Sequence, residues 1–247
     1  MATSGQVHST PTEKVDASQF DAGLQMPDKL IYLDHNATTP VAPEVLDAMM
    51  PYLTSEWGNP SSSCNFGAKL KRVIETARAQ VAELIGAHAT EIIFTSCATE
   101  SNNAAIHATL KATGKQHIVT SLTEHSSVLN CCRAWEQEDV RVTYLPVDRD
   151  GLLNLGDLEE AITDQTAVVS LMWANNETGV LFPVKAIGEI CRARGVFVHC
   201  DTVQATGKVE IDVRKVPVDY LSITGHKFNA PKALVHFTCG GKRRSCP

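Results

Sequence analysis

The sequence predicts an α/β fold in which helices lie on both faces of a mostly parallel sheet of the seven-stranded type. Short apolar strand patterns alternate with helical patterns between Glu91 and Lys227, and this alternation is typical of parallel sheets. Polar clusters follow five of the strand patterns directly, where open α/β sheets bind their ligands. The 247 residues, 43% of them hydrophobic, are enough for one large core.

Composition excludes several classes of protein. The chain has 22 basic and 28 acidic residues, and its net charge of -6 argues against a nucleic-acid partner. No apolar run approaches the ~18 residues of a membrane span, and no signal peptide opens the chain. Residues 1–29 are polar, contain acidic groups and lack arginine, so we expect a disordered tail there rather than a mitochondrial presequence. A cytoplasmic location is expected.

The eight cysteines do not predict a metal site or a disulfide framework. Cys131 and Cys132 are adjacent, Cys191 lies in a helical pattern, and Cys200 lies at the end of a strand pattern. We therefore expect no bound metal, and buried thiols for most of these side chains.

The first elements of the core are a long helix and a short strand. Apolar residues recur at helical spacing from Phe66 to Ile85, which predicts one amphipathic helix with a solvated basic face. Residues 91–95 form a short apolar run, and residues 96–103 then predict a turn and the start of a helix. The N-terminus of such a helix offers unpaired N–H groups to an anion.

Each later strand pattern also ends at a polar cluster. Taken one at a time, these side chains have simpler explanations: Asp201 could cap a helix, His125 could be a satisfied core histidine, and Asn176 could shape a turn. Taken together they predict one site, because the strand ends meet at one edge of the sheet. The strand patterns cover residues 118–121, 167–173, 196–199 and 218–223, and the clusters contain Glu124, His125, Asn175, Asn176, Glu177, Asp201, Gln204, Thr224, His226 and Lys227.

Lys227 predicts the chemistry of that site. An isolated Gly-His-Lys after a strand is most often an exposed lysine, so the assignment depends on the other clusters. In a polar pocket, such a lysine can bind the aldehyde of pyridoxal 5'-phosphate (PLP) covalently. Thr224 and His226 are placed to hydrogen-bond the phosphate, together with Ala98 and Thr99 at the predicted helix start.

The remaining polar residues fit the pyridine ring of the same cofactor. Asp201 is the candidate carboxylate for the protonated ring nitrogen, which an electron sink requires. His125 can stack on the ring and transfer protons. Asn176 and Gln204 can donate hydrogen bonds to the phenolic oxygen.

Seven motifs in order make the chain resemble the cysteine desulfurases. The match is nearly continuous from Ile31 to Lys232, and Cys97, residues 173–179 and residues 230–232 are most similar to the nitrogenase-associated NifS-type enzymes. The motifs are Asp-His-Asn-Ala-Thr-Thr (34–39), Gly-Asn-Pro-Ser-Ser (58–62), Phe-Thr-Ser-Cys-Ala-Thr-Glu-Ser (94–101), Glu-His (124–125), Met-Trp-Ala-Asn-Asn-Glu-Thr-Gly (172–179), His-Cys-Asp (199–201) and Gly-His-Lys (225–227).

The resemblance implies a PLP-dependent fold-type I enzyme of the class V aminotransferase group. Such enzymes convert L-cysteine to L-alanine, pass the sulfur to an enzyme cysteine as a persulfide, and supply an iron-sulfur scaffold protein as homodimers. It implies an arm of the small domain at residues 30–55 and a PLP-binding large domain at residues 56–232. It gives family roles to Ala98, Thr99, His125, Asn176, Asp201, Gln204, Thr224, His226 and Lys227, with His125 and Lys227 catalytic.

Three positions depart from the family pattern. Cys64 replaces a histidine, Thr202 replaces an alanine beside the ring-binding aspartate, and Asn229 replaces an aromatic residue or histidine. Because threonine adds bulk and a hydroxyl, we expect Thr202 to change the shape of the pocket beside the cofactor.

After Lys232 the resemblance stops. Shifting the possible codons of residues 233–241 by one base permits Gly-Val-Gly-Ala-Leu-Tyr-Val-Arg-Arg, the family continuation, so residues 233–247 are predicted to be out of frame. Cys239 and Cys246 are then not candidate nucleophiles. The small C-terminal domain, the persulfide cysteine, the substrate-binding arginine and a phosphate contact from the neighbouring subunit would be missing. We expect uncovered apolar surface on the arm, an inactive chain and impaired dimerisation; a selenocysteine lyase and a non-catalytic remnant of the same fold are the alternatives.

Overall fold

The computed structural model describes residues 31–232 and, as backbone only, residues 235–239. The predicted tail at residues 1–29 lies outside the described residues, as do residues 233–234 and 240–247. The compact body described below begins at Asp34. In the described part of the chain, no helix is both long and apolar enough to cross a membrane.

Helices and strands alternate along this body. The helices are α1 (Pro43–Thr54), α2 (Asn65–Ile85), α3 (Ala98–Thr113), α4 (Ser126–Glu136), α5 (Leu155–Ala161) and α6 (Val184–Ala193). The strands are β1 (Ile92–Thr95), β2 (His117–Ser121), β3 (Arg141–Leu145), β4 (Thr166–Met172), β5 (Phe197–Asp201), β6 (Tyr220–Thr224) and β7 (Val235–Cys239). Single 3₁₀ turns lie at Ala89–Glu91 and Gly225–Lys227.

All seven strands belong to one sheet in the order β1-β7-β6-β5-β4-β2-β3. The pairs from β6 to β3 are parallel, and β7 is antiparallel to both of its neighbours. The predicted mostly parallel sheet between helices is therefore confirmed. The sequence patterns predict neither β3 nor β7, and β7 lies in the segment interpreted as out of frame.

Two larger hydrophobic clusters and a small one at Ala105 and Tyr220 form the core. Val169 and Leu171 of β4 pack into the larger cluster with Ile187 of α6. Val168 of the same strand packs into the second cluster with Ile106 of α3. Successive side chains of a strand point to opposite faces, so a strand covered on both sides needs a continuous apolar run.

Helix α6 shows how the sequence places helices on this sheet. Its buried residues, Val184, Ile187, Gly188 and Cys191, recur at the spacing of one helix face. Gly188 permits a close approach, because a Cβ there would lie 2.4 Å from the carbonyl oxygen of Pro217. The glycine thus lets α6 pack directly against the loop that leads into β6.

Helix α1 belongs to the predicted arm at residues 30–55 and behaves differently from the other long helices. None of its residues is buried, and Leu46, Met50 and Leu53 are exposed apolar side chains. By contrast, α2 spans the amphipathic pattern predicted from Phe66 to Ile85 and buries Leu70, Ala82 and Ile85. The uncovered apolar surface expected on the arm is present.

Candidate active site

A cavity of about 540 Å³ lies at the carboxyl edge of the sheet. The strands β5 and β6 end at this edge, and the helices α3 and α4 begin there. All nine residues that the sequence analysis nominates line this one cavity: Ala98, Thr99, His125, Asn176, Asp201, Gln204, Thr224, His226 and Lys227. Side chains that are far apart in sequence therefore share one space, which we call the carboxyl-edge cavity.

Lys227 is positioned by the 3₁₀ turn that follows β6. Its ammonium nitrogen donates to the carbonyl oxygen of Ala37 at 2.9 Å and also to that of Asn36. Burial lowers the pKa of Lys227, the charge of Lys208 lowers it further, and the Asp201 carboxylate opposes both. A lowered pKa makes the neutral, nucleophilic amine easier to reach.

Asp201 is the last residue of β5 and is almost fully buried. Its Oδ1 accepts the backbone N–H of Val203 at 3.0 Å, and its Oδ2 accepts the amide of Asn102 at 2.8 Å. Burial is the largest effect and raises the pKa of Asp201 above its ordinary value, while these two hydrogen bonds and the Lys227 ammonium partly offset it. The carboxylate is thus held in one orientation by donors that favour its ionised form.

His125 caps the N-terminus of α4. Its Nδ1 lies 2.8 Å from the hydroxyl oxygen of Ser127 and accepts the backbone N–H of the same residue at 3.2 Å. These contacts fix the ring at the start of the helix, beside the cavity. The imidazole is therefore placed to face a ligand with little freedom to rotate.

Glu124, immediately before His125, is a buried acid behind the site. Its Oε1 accepts the backbone N–H of Met172 at 2.9 Å and the hydroxyl of Ser121 at 3.1 Å. Burial raises the pKa of Glu124 to about 8, and the nearby Asp201 carboxylate adds to this effect. Glu124 therefore carries a proton near neutral pH.

One end of the cavity suits an anion. Ala98 and Thr99 open helix α3, whose first N–H groups have no partner within the helix. His226 and Lys232 also line the cavity, and Nδ1 of His226 lies 3.1 Å from the hydroxyl oxygen of Thr38. A helix N-terminus, hydroxyl groups and lysine side chains around one cavity favour a phosphate-sized anion.

The two predicted amide donors line the cavity but bind protein acceptors. The Asn176 amide donates to Oε1 of Glu177 at 2.6 Å. The Gln204 amide donates to the carbonyl of Asn36 at 2.9 Å, and its own oxygen accepts from Lys208 at 2.9 Å. Each amide nitrogen has a second hydrogen that remains for the predicted contact with a phenolic oxygen.

Some contributors were not nominated from the sequence. The segment from Asn36 to Thr38 lies in a recognised motif, but no spacing rule could bring it to Lys227, which lies 190 residues later in the chain. Asn102 and Ser127, which contact Asp201 and His125, lie inside helices where polar residues are ordinarily solvated or act as caps. Only their burial in the fold reveals them.

The family model described as Aminotransferase class-V matches residues 31–234. This chain belongs to that family. Its cavity therefore lies on a scaffold shared by the family, with the candidate lysine after β6 and the candidate aspartate at the end of β5.

Curated relatives are similar to this chain over most of its length. The chain is 53% identical to cysteine desulfurase IscS of Rickettsia akari (strain Hartford) over 207 residues, which are 83% of this chain and 50% of the relative. It thus spans about half the length of the curated relatives it matches.

Solved structures show the same fold. A structure titled NifS-like protein has a TM-score of 0.84 and 36% identity, with 88% of this chain and 60% of that chain covered. A second, titled SspA in complex with cysteine, has a TM-score of 0.83 and 36% identity, with 87% of this chain and 62% of that chain covered.

Two of the departures from the desulfurase pattern have local explanations in this class V chain. Thr202 is fully buried and does not line the cavity, because its hydroxyl donates to the carbonyl of Ser222 at 2.8 Å. An effect of Thr202 on the shape of the pocket, exerted from behind its lining, stays a prediction. Asn229 has a φ of 70°, which asparagine tolerates well, and its amide donates to the carbonyl of Pro40 at 3.0 Å.

Proposed function

We propose that this chain carries the PLP-binding portion of a cysteine desulfurase, which converts L-cysteine to L-alanine and passes the sulfur to an enzyme cysteine as a persulfide. The observation that carries the proposal is the meeting of Lys227, Asp201 and His125 in one cavity. An amine, a buried carboxylate and an imidazole, beside a helix N-terminus, are the groups that a phosphorylated pyridine aldehyde requires.

The donor set of the cavity fits PLP at both ends. At one end, Ala98, Thr99, Thr224 and His226 would hold the phosphate, and Lys232 adds a positive charge. At the other end, the two donors on Asp201 keep its carboxylate available for a protonated ring nitrogen. Bound PLP supplies an electron sink that labilises bonds of an amino-acid substrate.

The residues of the chain then have separate tasks. Lys227 attaches the aldehyde and is the candidate for moving a proton at the substrate carbon. Asp201 stabilises the positive charge on the ring nitrogen, and His125 orients the ring face and exchanges protons. Asn176 and Gln204 are proposed to donate their second amide hydrogens to the phenolic oxygen, beside their bonds to Glu177 and Asn36.

L-Cysteine is the proposed substrate because curated relatives at 50–53% identity are named cysteine desulfurases and one structural neighbour is titled as a cysteine complex. An iron-sulfur scaffold protein as sulfur acceptor, a homodimer and a cytoplasmic location are proposed on the family resemblance and the sequence. No persulfide cysteine or carboxylate-binding arginine is assigned among the described residues.

The first test is the covalent attachment of PLP. Purified protein is incubated with PLP, reduced with borohydride and digested, and the modified peptide is located by mass spectrometry. We expect the mass increase on Lys227 together with absorbance of bound cofactor in the near ultraviolet or visible range, and we expect Lys227→Ala to lose both.

Lys232→Ala is the matched control, because this lysine lines the same cavity but is proposed only to assist the phosphate. It should weaken binding yet keep the label on Lys227. A label of wild-type yield in the Lys227→Ala protein would overturn the assignment.

The second test concerns the substrate and uses a version in which residues 233 onward are restored to the family frame. We expect this version to release alanine and sulfide from L-cysteine. A strong preference for L-selenocysteine would favour selenocysteine lyase, and turnover of neither substrate would favour a non-catalytic remnant. Equal turnover by the 247-residue chain would show that our interpretation of residues 233–247 is wrong.

A further inference from the structure

Four polar side chains, two that line the cavity and two behind it, form one continuous hydrogen-bonded chain. The amide nitrogen of Asn102 lies 2.8 Å from Oδ2 of Asp201 and 2.9 Å from the hydroxyl oxygen of Ser127. That hydroxyl oxygen in turn lies 2.8 Å from Nδ1 of His125. The two side chains proposed to flank the cofactor ring are thus linked through the protein by Asn102 of α3 and Ser127 of α4.

The direction of each hydrogen bond in this chain is determined by counting donors. The amide nitrogen of Asn102 has two hydrogens and only donates, so both Asp201 and the hydroxyl oxygen of Ser127 accept from it. The backbone N–H of Ser127 donates to Nδ1 of His125 at 3.2 Å, so this nitrogen acts as an acceptor. The single hydroxyl hydrogen of Ser127 is therefore directed to Nδ1 as well.

We propose that Asn102 and Ser127 form a positioning relay that holds the Asp201 carboxylate and keeps Nδ1 of His125 as a hydrogen-bond acceptor, with the ring proton on Nε2. The importance of the relay for catalysis rests on the proposed function, whereas its geometry does not. A bare Nδ1 facing two donors leaves Nε2 as the nitrogen that carries the exchangeable proton.

The burial of Asn102 and Ser127 supports a functional role for these two side chains. Asn102 is fully buried and Ser127 is 7% exposed, so the amide has been removed from water to make these bonds. Its Oδ1 is buried without a hydrogen-bond partner among the described residues, which destabilises the fold. An apolar residue would avoid that penalty but would leave the buried Asp201 carboxylate with one donor fewer.

Helix α3 supplies a contrast between two buried polar residues. Thr109, two turns after Asn102, is also buried, and its hydroxyl donates at 2.7 Å to the carbonyl of Ala105 within the same helix. The hydroxyl of Thr109 thus finds its acceptor within its own helix, whereas Asn102 donates both amide hydrogens to groups outside its helix. The variant Thr109→Val is therefore a matched control for loss of a buried polar group from α3.

The first experiment measures the tautomer directly and needs no cofactor. Nitrogen-15 NMR of the full chain with labelled histidine, assigned with His125→Gln, distinguishes protonated from bare ring nitrogens. We expect a bare, hydrogen-bonded Nδ1 in the wild type and a downfield shift of that resonance in Ser127→Ala, because the bare nitrogen loses a donor. Ser127→Thr should restore the wild-type resonance, and Thr109→Val should leave it unchanged.

The second experiment measures PLP affinity by absorbance titration. We expect Asn102→Leu to bind PLP roughly tenfold more weakly, since the carboxylate loses a charge-assisted hydrogen bond. Thr109→Val should bind like the wild type. If the wild type binds no PLP, the proposed function fails, and the NMR measurement still decides whether the relay exists.

Two results would overturn the relay. One is a protonated Nδ1 on His125 in the wild type. The other is an unchanged Nδ1 resonance in Ser127→Ala, a change of one hydroxyl group that remains informative if Asn102→Leu does not fold. If folded Asn102→Leu bound PLP as tightly as the wild type, Asn102 would not be needed to hold the Asp201 carboxylate for the cofactor.

Discussion

The interior of the sheet and its carboxyl edge treat buried polar groups in opposite ways. In the interior, His199 is fully buried and both ring nitrogens have partners, with Ser170 at 2.8 Å and Ser222 at 3.0 Å. At the edge lie the two buried side-chain atoms without a partner among the described residues, Oδ1 of Asn102 and Oε2 of Glu124. Unpaired polar atoms thus concentrate where the candidate chemistry is.

The difference shows which polar groups serve stability and which serve a site. Burial lowers the pKa of His199 to about 3, so this ring stays neutral and acts as a hydrogen-bonded bridge between strands. Burial raises the pKa of Glu124 to about 8, so this acid keeps a proton that the unfolded chain would release. Stability and function make different demands on a buried group, and the edge tolerates the less stable arrangement.

The largest expected effect on stability comes from breaking the interior arrangement. His199→Leu removes the bridge between Ser170 of β4 and Ser222 of β6. Two buried hydroxyls then lose their hydrogen bond to the imidazole ring. We expect the free energy of unfolding, measured with urea, to fall by about 3 kcal/mol.

His199→Gln is the control, because its amide can still contact one serine and should recover part of that loss. A loss below about 1 kcal/mol in His199→Leu would show that the paired interior adds little to stability.

Replacing the buried acid Glu124 at the edge of the sheet should increase the stability of the protein. Glu124 holds its proton up to about pH 8 in the folded chain, against an ordinary value of 4.5. Between these pH values Glu124 keeps a proton in the folded state that it releases in the unfolded state, so its contribution to stability falls as the pH rises. Glu124→Gln should remove this slope and raise the free energy of unfolding at pH 8 by about 2 kcal/mol.

Melting temperatures of both proteins across pH 4.5 to 8.5 provide the measurement. The glutamine retains an oxygen for the N–H of Met172, so that hydrogen bond is not the variable. Parallel stability curves for the two proteins would contradict a buried, protonated Glu124.

The smallest effect should come from a single interior hydroxyl. Thr120 of β2 is buried, and its hydroxyl donates to the carbonyl of Ser170 at 2.9 Å. Thr120→Val keeps the shape and removes that donor, with an expected loss of about 1 kcal/mol in urea unfolding. Thr54→Val, which removes an exposed hydroxyl in α1, should change the free energy of unfolding far less. Equal losses in the two variants would show that a buried hydroxyl contributes no more to stability than an exposed one.

Hydrophobic patterning predicted most of the fold because it records burial directly. The run at residues 167–173 corresponds to β4, every residue of which is buried, and the pattern from Phe66 to Ile85 corresponds to α2. Strand β3 escaped prediction because Arg141 is exposed and its next three residues are only partly buried, as befits an edge strand. The antiparallel position of β7 depends on pairing across the whole sheet, which no local pattern encodes.

The candidate site also contains residues that the sequence predicted and residues that only the folded structure identifies. The nine nominated residues were found because strand ends and helix starts are local signals and parallel topology gathers them at one edge. The contacts of Lys227 with Asn36 and Ala37, and the relay through Asn102 and Ser127, depend on packing between distant segments. Sequence spacing could name the groups at the cavity but not the groups that orient them.

The position of β7 also has a consequence for how the molecule is assembled. Strand β1 is hydrogen-bonded to β7 and, within the described residues, to no other strand. During synthesis β2 to β6 can pair as soon as Thr224 has emerged, whereas β1, made before all of them, waits for residues 235–239. The first strand made is therefore among the last to dock, and this long-range closure makes that margin of the sheet the slowest to fold and the longest exposed to misassembly.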